Sequence, residues 1–394
     1  MILFLMLACS PASHHNKGSS DGADGTTTTD SSALLDRAYV VSELSNELFV
    51  FDYETLDEVG SIDTSVVADT PNGNHMAMVS MDGKTVYISA AETGKLLVVD
   101  AASLTIKSTI DIGTTDTHMA FRDGTNELWI MVEGDNAVAI VDTETNTLTR
   151  KITDESFHIP HFARFSGDYA YIPSIGGNQV SVVDLASYSV VDTLVPDGLT
   201  EGACDGDPCG FADAQIDPEG MLFASHFSTG KVLVYDTVNH EMVGQPTVGL
   251  QTWSAFVDPF AGDDNAALAP SWADETVTHI GADAVASAWD AGDSQVYGVN
   301  YSPTSLDEAF VLHRTSHSVG VVSRSTGELV DEIDAGGTTE TAATTPDGLL
   351  LLPVSSTGEV AVIDTATHEE LTRYSDVGTY PWSATTAAGQ NYCH

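Results

Sequence analysis

The stretch HMAMVSMDGKTVYISAAETGKLLVVDAASLTIKSTIDIG, His75 to Gly113, holds one complete unit of an internal repeat. It reads as an alternating strand, a D-G turn, a second strand ending VYIS, a glycine-containing turn, a third strand ending V-V-D, and a fourth strand. The aspartate closing the third strand sets the register. It recurs at Asp52, Asp100, Asp142, Asp184, Asp236 and Asp364, with Gly281 and Ser323 at the equivalent place in two degenerate copies. Successive gaps are 48, 42, 42, 52, 45, 42 and 41 residues. An aspartate before a tight turn accepts a backbone N–H two residues on, so its role is structural. Repeats of this length built from four strands predict a β-propeller.

The rest of the chain agrees. KLLVVD, NAVAIVD, NQVSVVD, KVLVYD and EVAVID are apolar on both faces, as strands between stacked blades must be. The expected fold is all-β: one propeller of four-stranded blades over residues 37–394. Residues 37–63 lack an inner strand of their own, and the C-terminal PWSATTAAGQNYCH is an inner strand with nothing after it. Pairing the two closes the ring and removes an exposed edge. That count gives eight blades; seven is the alternative, because residues 250–294 copy the repeat poorly.

The unit S-x-D-G-K-x-V-Y-I-S at Ser80–Ser89, followed by L-V-V-D-A at Leu97–Ala101, resembles the YVTN repeat of YncE-type periplasmic propellers. The resemblance covers nearly everything from Arg37 onward and implies a fold more than an activity, since propellers host unrelated functions. The repeat is also similar in style to the haem-binding propeller of cytochrome-type nitrite reductases.

At the N-terminus, Met1–Ala8 are apolar and end at Cys9. Eight residues are too few to cross a bilayer, which needs roughly 20, and read instead as a secretory segment. M-L-A-C resembles the lipobox of bacterial lipoproteins, with Cys9 as the lipidated residue. The expectation is therefore a signal segment at 1–9, a Ser/Thr/Gly/Asp-rich tether at 10–36, and an extracytoplasmic propeller anchored to the cell envelope, in the periplasm or at the outer membrane. The lipid is its one membrane contact.

Over 394 residues, 58 Asp and Glu against 13 Lys and Arg give a formal charge of −45. Such a surface repels phosphate backbones, which argues against nucleic-acid binding. The chain reads as a monomer. Cys204 and Cys209, in the insertion EGACDGDPCG, form a small disulfide loop suited to an oxidising compartment. Cys393 stays open as a buried, intermolecular or ligand thiol. Acidic clusters at Asp205/Asp207 and Asp258/Asp263/Asp264 offer oxygen donors for calcium, with solvated loop charge as the plainer reading.

The inner strand of each blade lines the channel, and its first residue sits at the rim. That register yields His75, His118 and His161, each 43 residues after the last, then Ala212 or Asp213, Trp253, Tyr297, Glu340 and Trp382. The ends of the second strands add His226 and His313. Convergent imidazoles suit a metal, so the five histidines are candidate ligands for copper or iron. Trp253, Tyr297, Glu340 and Trp382 are candidate contacts for a cofactor such as a haem-type tetrapyrrole. No catalytic signature is present: the chain contains no G-x-S-x-G nucleophile elbow, H-E-x-x-H, P-loop or dinucleotide fingerprint. The expected function is a binding protein that takes a ligand or partner protein at this rim. The alternative is a metal- or tetrapyrrole-handling redox protein, and a lactonase-like hydrolase comes third.

Overall fold

The computed structural model of the chain describes residues 34–67, 73–206, 208–260, 266–289, 291–292 and 295–392. Cys9, Asp207, Asp263, Asp264 and Cys393 lie outside the described residues, as does the 1–9 segment. Leu34 is buried, so the folded body starts before Arg37.

Eight antiparallel sheets form eight blades, the larger of the two counts expected. In blade 2 the strands are Asn74–Val79, Thr85–Ala90, Lys95–Asp100 and Thr105–Asp111, matching the repeat quoted above. Blade 6, the poor copy, is built from Phe256–Val257, Ala266–Ser271, Thr276–Gly281 and Ala286–Trp289.

Ring closure occurs in blade 1, where the C-terminal strand Pro381–Thr386 pairs antiparallel with Arg37–Ser42, Ala38 opposite Thr386. Each half thereby satisfies the other's open edge. The tail then continues past the closing strand: Gln390–Asn391 adds a fifth strand to blade 8.

Second and third strands are buried on both faces, whereas fourth strands such as Thr105–Asp111 are mostly exposed. Val, Leu and Ile dominate the buried positions, and each stabilises by about 1.5–3 kcal/mol when fully buried. Between third and fourth strands the register slips by one residue at the same place in seven blades, for instance between Val98 and Val99 and between Ile140 and Val141. Such a bulge twists the outer edge away from its neighbours. Blade 6 has unbroken register there.

The register aspartates behave as turn acceptors, reaching two or three residues on. Asp52 accepts from the N–H groups of Glu54 and Thr55 at 3.1 and 2.9 Å, and Asp364 from Ala366 and Thr367 at 2.8 and 3.1 Å. Lys107, helped by the Ser103 N–H, draws the Asp100 carboxyl down to about 2.

Candidate metal centre at the channel mouth

The inner strands of blades 2 and 3, Asn74–Val79 and Asp116–Phe121, and the segment leading into Arg164–Ser166 of blade 4 present His75, His118 and His161 side by side. His161 precedes its short strand and is fixed by its own N–H, which donates to Pro173 O at 3.0 Å. The ring centroids of His75 and His118 are 4.8 Å apart, and those of His118 and His161 are 4.2 Å apart. His118 and His161 are almost wholly buried, at 1% and 6% exposure.

A carboxylate joins them. Glu133 follows the second strand of blade 3, and its Oε1 lies 4.0 Å from His118 Nδ1 and 3.7 Å from His161 Nε2. His118, Glu133 and His161 thus offer three donor atoms all within 4.8 Å of one another. On the other side His75 Nε2 meets His118 Nε2 at 3.4 Å, and His75 Nδ1 meets Glu43 Oε1 at 3.5 Å. Two carboxylates and three imidazoles thus form one chain of contacts across four blades.

The protonation pattern of His161 suits a ligand. Its Nδ1 lies 2.5 Å from Ala212 O, a carbonyl that can only accept. The proton therefore sits on Nδ1, and Nε2 turns its lone pair toward Glu133. Holding one ring nitrogen on a carbonyl while the other faces the ion is the usual outer support of a metal-binding histidine. Burial depresses the His161 pKa below its ordinary value, with Glu133 and Ala212 partly opposing, so the ring is biased to the neutral form. A tetrahedral ion with bonds of about 2.0–2.1 Å needs donors roughly 3.4 Å apart. The two carboxylate–imidazole separations of 3.7 and 4.0 Å need to close by only a few tenths of an ångström, whereas the widest donor pair, at up to 4.8 Å, must close by more.

The other half of the rim is aromatic. Trp382 lies 6.4 Å from His75 and 6.4 Å from Tyr297, and Tyr297 lies 6.2 Å from Trp253. The expected arc is therefore continuous with the histidines. Glu340 holds its rim position but is engaged on both oxygens. Arg314 Nε lies 2.6 Å from Oε1, and the Tyr380 hydroxyl donates to Oε2 at 3.0 Å. Burial raises its carboxyl, with Arg314 and Tyr380 opposing.

Two expected ligands sit elsewhere. His226 and His313 close the second strands of blades 5 and 7, where their side chains bond neighbours away from the three-donor group. His226 packs edge-on to Phe211 and bonds Asn178 and Thr229 at 3.2 and 3.1 Å; His313 Nδ1 bonds the Ser318 hydroxyl at 3.0 Å. Neither joins the three-donor group. Side chains alternate along a strand, so it is the next residue that faces the axis.

In five blades this next residue is Glu43, Glu133, Phe227, Trp272 or Arg314. Each touches the rim residue of the following blade: Glu43 with His75, Glu133 with His161, Phe227 with Trp253, Trp272 with Tyr297, and Arg314 with Glu340. Reading that register one residue further would have found Glu133. The remaining acidic expectation also changes character, since Asp258 is paired with Arg324 at 2.6 Å. The Cys204–Cys209 disulfide forms as expected, and Cys209 N–H donates to Ile175 O beside the rim.

DUF5074, a domain of unknown function, matches residues 9–251, more than half of the chain. The chain belongs to that family. No curated protein matches it. Among solved structures, this DUF5074 propeller is similar to the dihydro-heme d1 dehydrogenase NirN in complex with DHE, at 14% identity and a TM-score of 0.70, covering 90% of this chain and 76% of that one. It is similar to apo AztD from Citrobacter koseri at 12% identity and a TM-score of 0.63, covering 90% and 98%. BamB from Moraxella catarrhalis follows at 11% identity and 0.60, covering 81% and 91%. At these identities the likeness is one of fold, and the expected resemblance to a haem-type propeller holds as a likeness of shape.

Proposed function

We propose that this DUF5074 propeller is an extracytoplasmic binding protein that takes up one divalent transition-metal ion at its channel mouth. His118, Glu133 and His161 are the ligands, and His75 packs on the other ring nitrogen of His118. The observation that carries this reading is the convergence of two buried imidazoles and a carboxylate within 4.8 Å. Two imidazoles with one carboxylate suit zinc in tetrahedral geometry, and copper or iron by ligand type. The surrounding charge of −45 supports it by drawing cations toward the surface. The Cys204–Cys209 bond fits an oxidising compartment, in line with export and anchoring through Cys9.

A metal bound here stays or leaves by the protonation of its ligands, since only neutral imidazole coordinates. Glu340 is occupied by Arg314 and Tyr380. Carriage or sensing of the ion fits this better than turnover. The tetrapyrrole reading draws on the aromatic arc and on the fold shared with NirN, yet the three imidazole rings pack against one another at 4.2–4.8 Å, a spacing suited to an ion.

Calorimetric titration with Zn²⁺ tests the reading. One ion should bind per chain, and the His118→Ala/His161→Ala double variant should lose roughly 100-fold or more in affinity. Equal binding by a folded double variant would overturn it.

A further inference from the structure

At the opposite end of the channel, the inner strands of blades 2, 3 and 4 border a second cavity of about 660 Å³. Its far wall is the end of the closing strand, Thr385 and Thr386, with Ala387 and Asn391 of the tail beyond it. This tail is pinned across the channel end. Gln390 accepts the Tyr301 N–H at 2.7 Å, and Tyr392 packs on Phe256 at 4.4 Å.

One side of the lining is apolar and compliant. Met76, Met78, Met81 and Met119, four of the chain's nine methionines, face it beside three phenylalanines. Thioether side chains reshape around apolar ligands and tolerate varied shapes. The size falls within the range of small-molecule sites.

The charges are the second observation. In a chain with only 13 Lys and Arg, two arginines, Arg122 and Arg164, line this cavity, against one carboxylate, Asp123. Arg122 spends Nη1 on Glu127 at 3.0 Å. Glu127 is also held by the Trp129 indole N–H at 3.0 Å and by Tyr188, so it keeps partners if Arg122 turns. Arg164 lies over the Phe162 ring at 3.9 Å, donates from Nε to Ala214 O at 2.6 Å, and faces Asp213 at 3.6 Å. A guanidinium carries five N–H donors, so each retains donors for a ligand. Carboxylates are the groups that such a planar fork pairs with best.

We propose that this cavity is a second ligand site, for a small amphipathic carboxylate whose apolar body lies among the methionines and phenylalanines and whose acid group pairs with Arg122 and Arg164. It shares no residue with the metal centre and stands independently of it.

The test is calorimetric titration of the full chain with decanoate and with decan-1-ol. Decanoate should bind one-to-one, and the alcohol should bind at least about tenfold more weakly, because it carries no negative charge and no second oxygen to pair with the guanidinium fork. Met78→Trp, which fills the cavity, and Arg122→Gln, which removes a guanidinium, should each weaken decanoate roughly tenfold while thermal unfolding and Zn²⁺ binding stay near wild type. Absence of decanoate binding, equal binding of acid and alcohol, or unchanged binding in both folded variants would overturn the proposal.

Discussion

Two halves of one rim make an instructive contrast. Apart from Trp382, whose strand closes blade 1, blades 1 to 4 place imidazole and carboxylate at the mouth, while blades 5 to 8 place Phe227, Trp253, Trp272, Tyr297 and the Arg314–Glu340 pair at the same registers. The backbone contact is alike in both: the residue past a second strand meets the first inner-strand residue of the next blade. Only side-chain chemistry differs. One half therefore presents lone pairs able to take an ion, whereas the other is already satisfied by ring packing and an internal ion pair.

If the aromatic half is structural, its largest response is in stability. Glu340→Ala takes the shared partner from Arg314 and Tyr380; because Arg314 is part-exposed, the loss falls at the low end of the cost of breaking a buried pair, about 3 kcal/mol. Chemical denaturation should show that loss, with Zn²⁺ affinity of the folded variant unchanged. A fall in zinc affinity alongside it would join the two halves into one site.

Next in size is an acid effect from His226, the imidazole that turns away from the mouth. Burial lowers its pKa to about 4, from an ordinary 6.5. The unfolded chain then takes the proton first. Its contribution is complete above pH 6.5 and is lost as pH falls from 6.5 toward 4, by about 3 kcal/mol in total. Denaturation midpoints measured across that window should flatten in His226→Gln; an unchanged slope would remove His226 as the cause.

The smallest effects separate ligand from neighbour within the mouth. Glu133→Gln keeps shape but removes the anionic donor and should weaken Zn²⁺ by about tenfold or more, whereas Trp382→Phe should change it by less than about threefold. Comparable losses would mean that the aromatic arc contacts the ion's surroundings directly.

Much of this was legible in the sequence because a propeller repeats one physical problem eight times. The register aspartates, the 43-residue spacing of His75, His118 and His161, and the unpaired strands at both ends each follow from one strand order. Glu133 and Glu43 escaped because the register was followed only to the strand end, where His226 and His313 attract attention by residue type. Side-chain alternation puts the useful position one residue later. The far cavity was illegible for a different reason. It depends on where residues 387–392 cross the channel, and that path is set by contacts with Thr344 and Asn391 pairing on blade 8, far away in sequence. Gly389 makes the crossing possible: it sits at φ +97°, and a Cβ there would lie 2.1 Å from Thr344 O.

The most direct measurement is the visible spectrum of the protein loaded with Co²⁺, wild type beside His161→Ala. The account predicts one equivalent of cobalt with intense tetrahedral d–d bands, displaced by Zn²⁺ and lost in the variant. A wild-type spectrum no different from hydrated cobalt, or bands that persist in folded His161→Ala, would contradict a metal centre at this mouth.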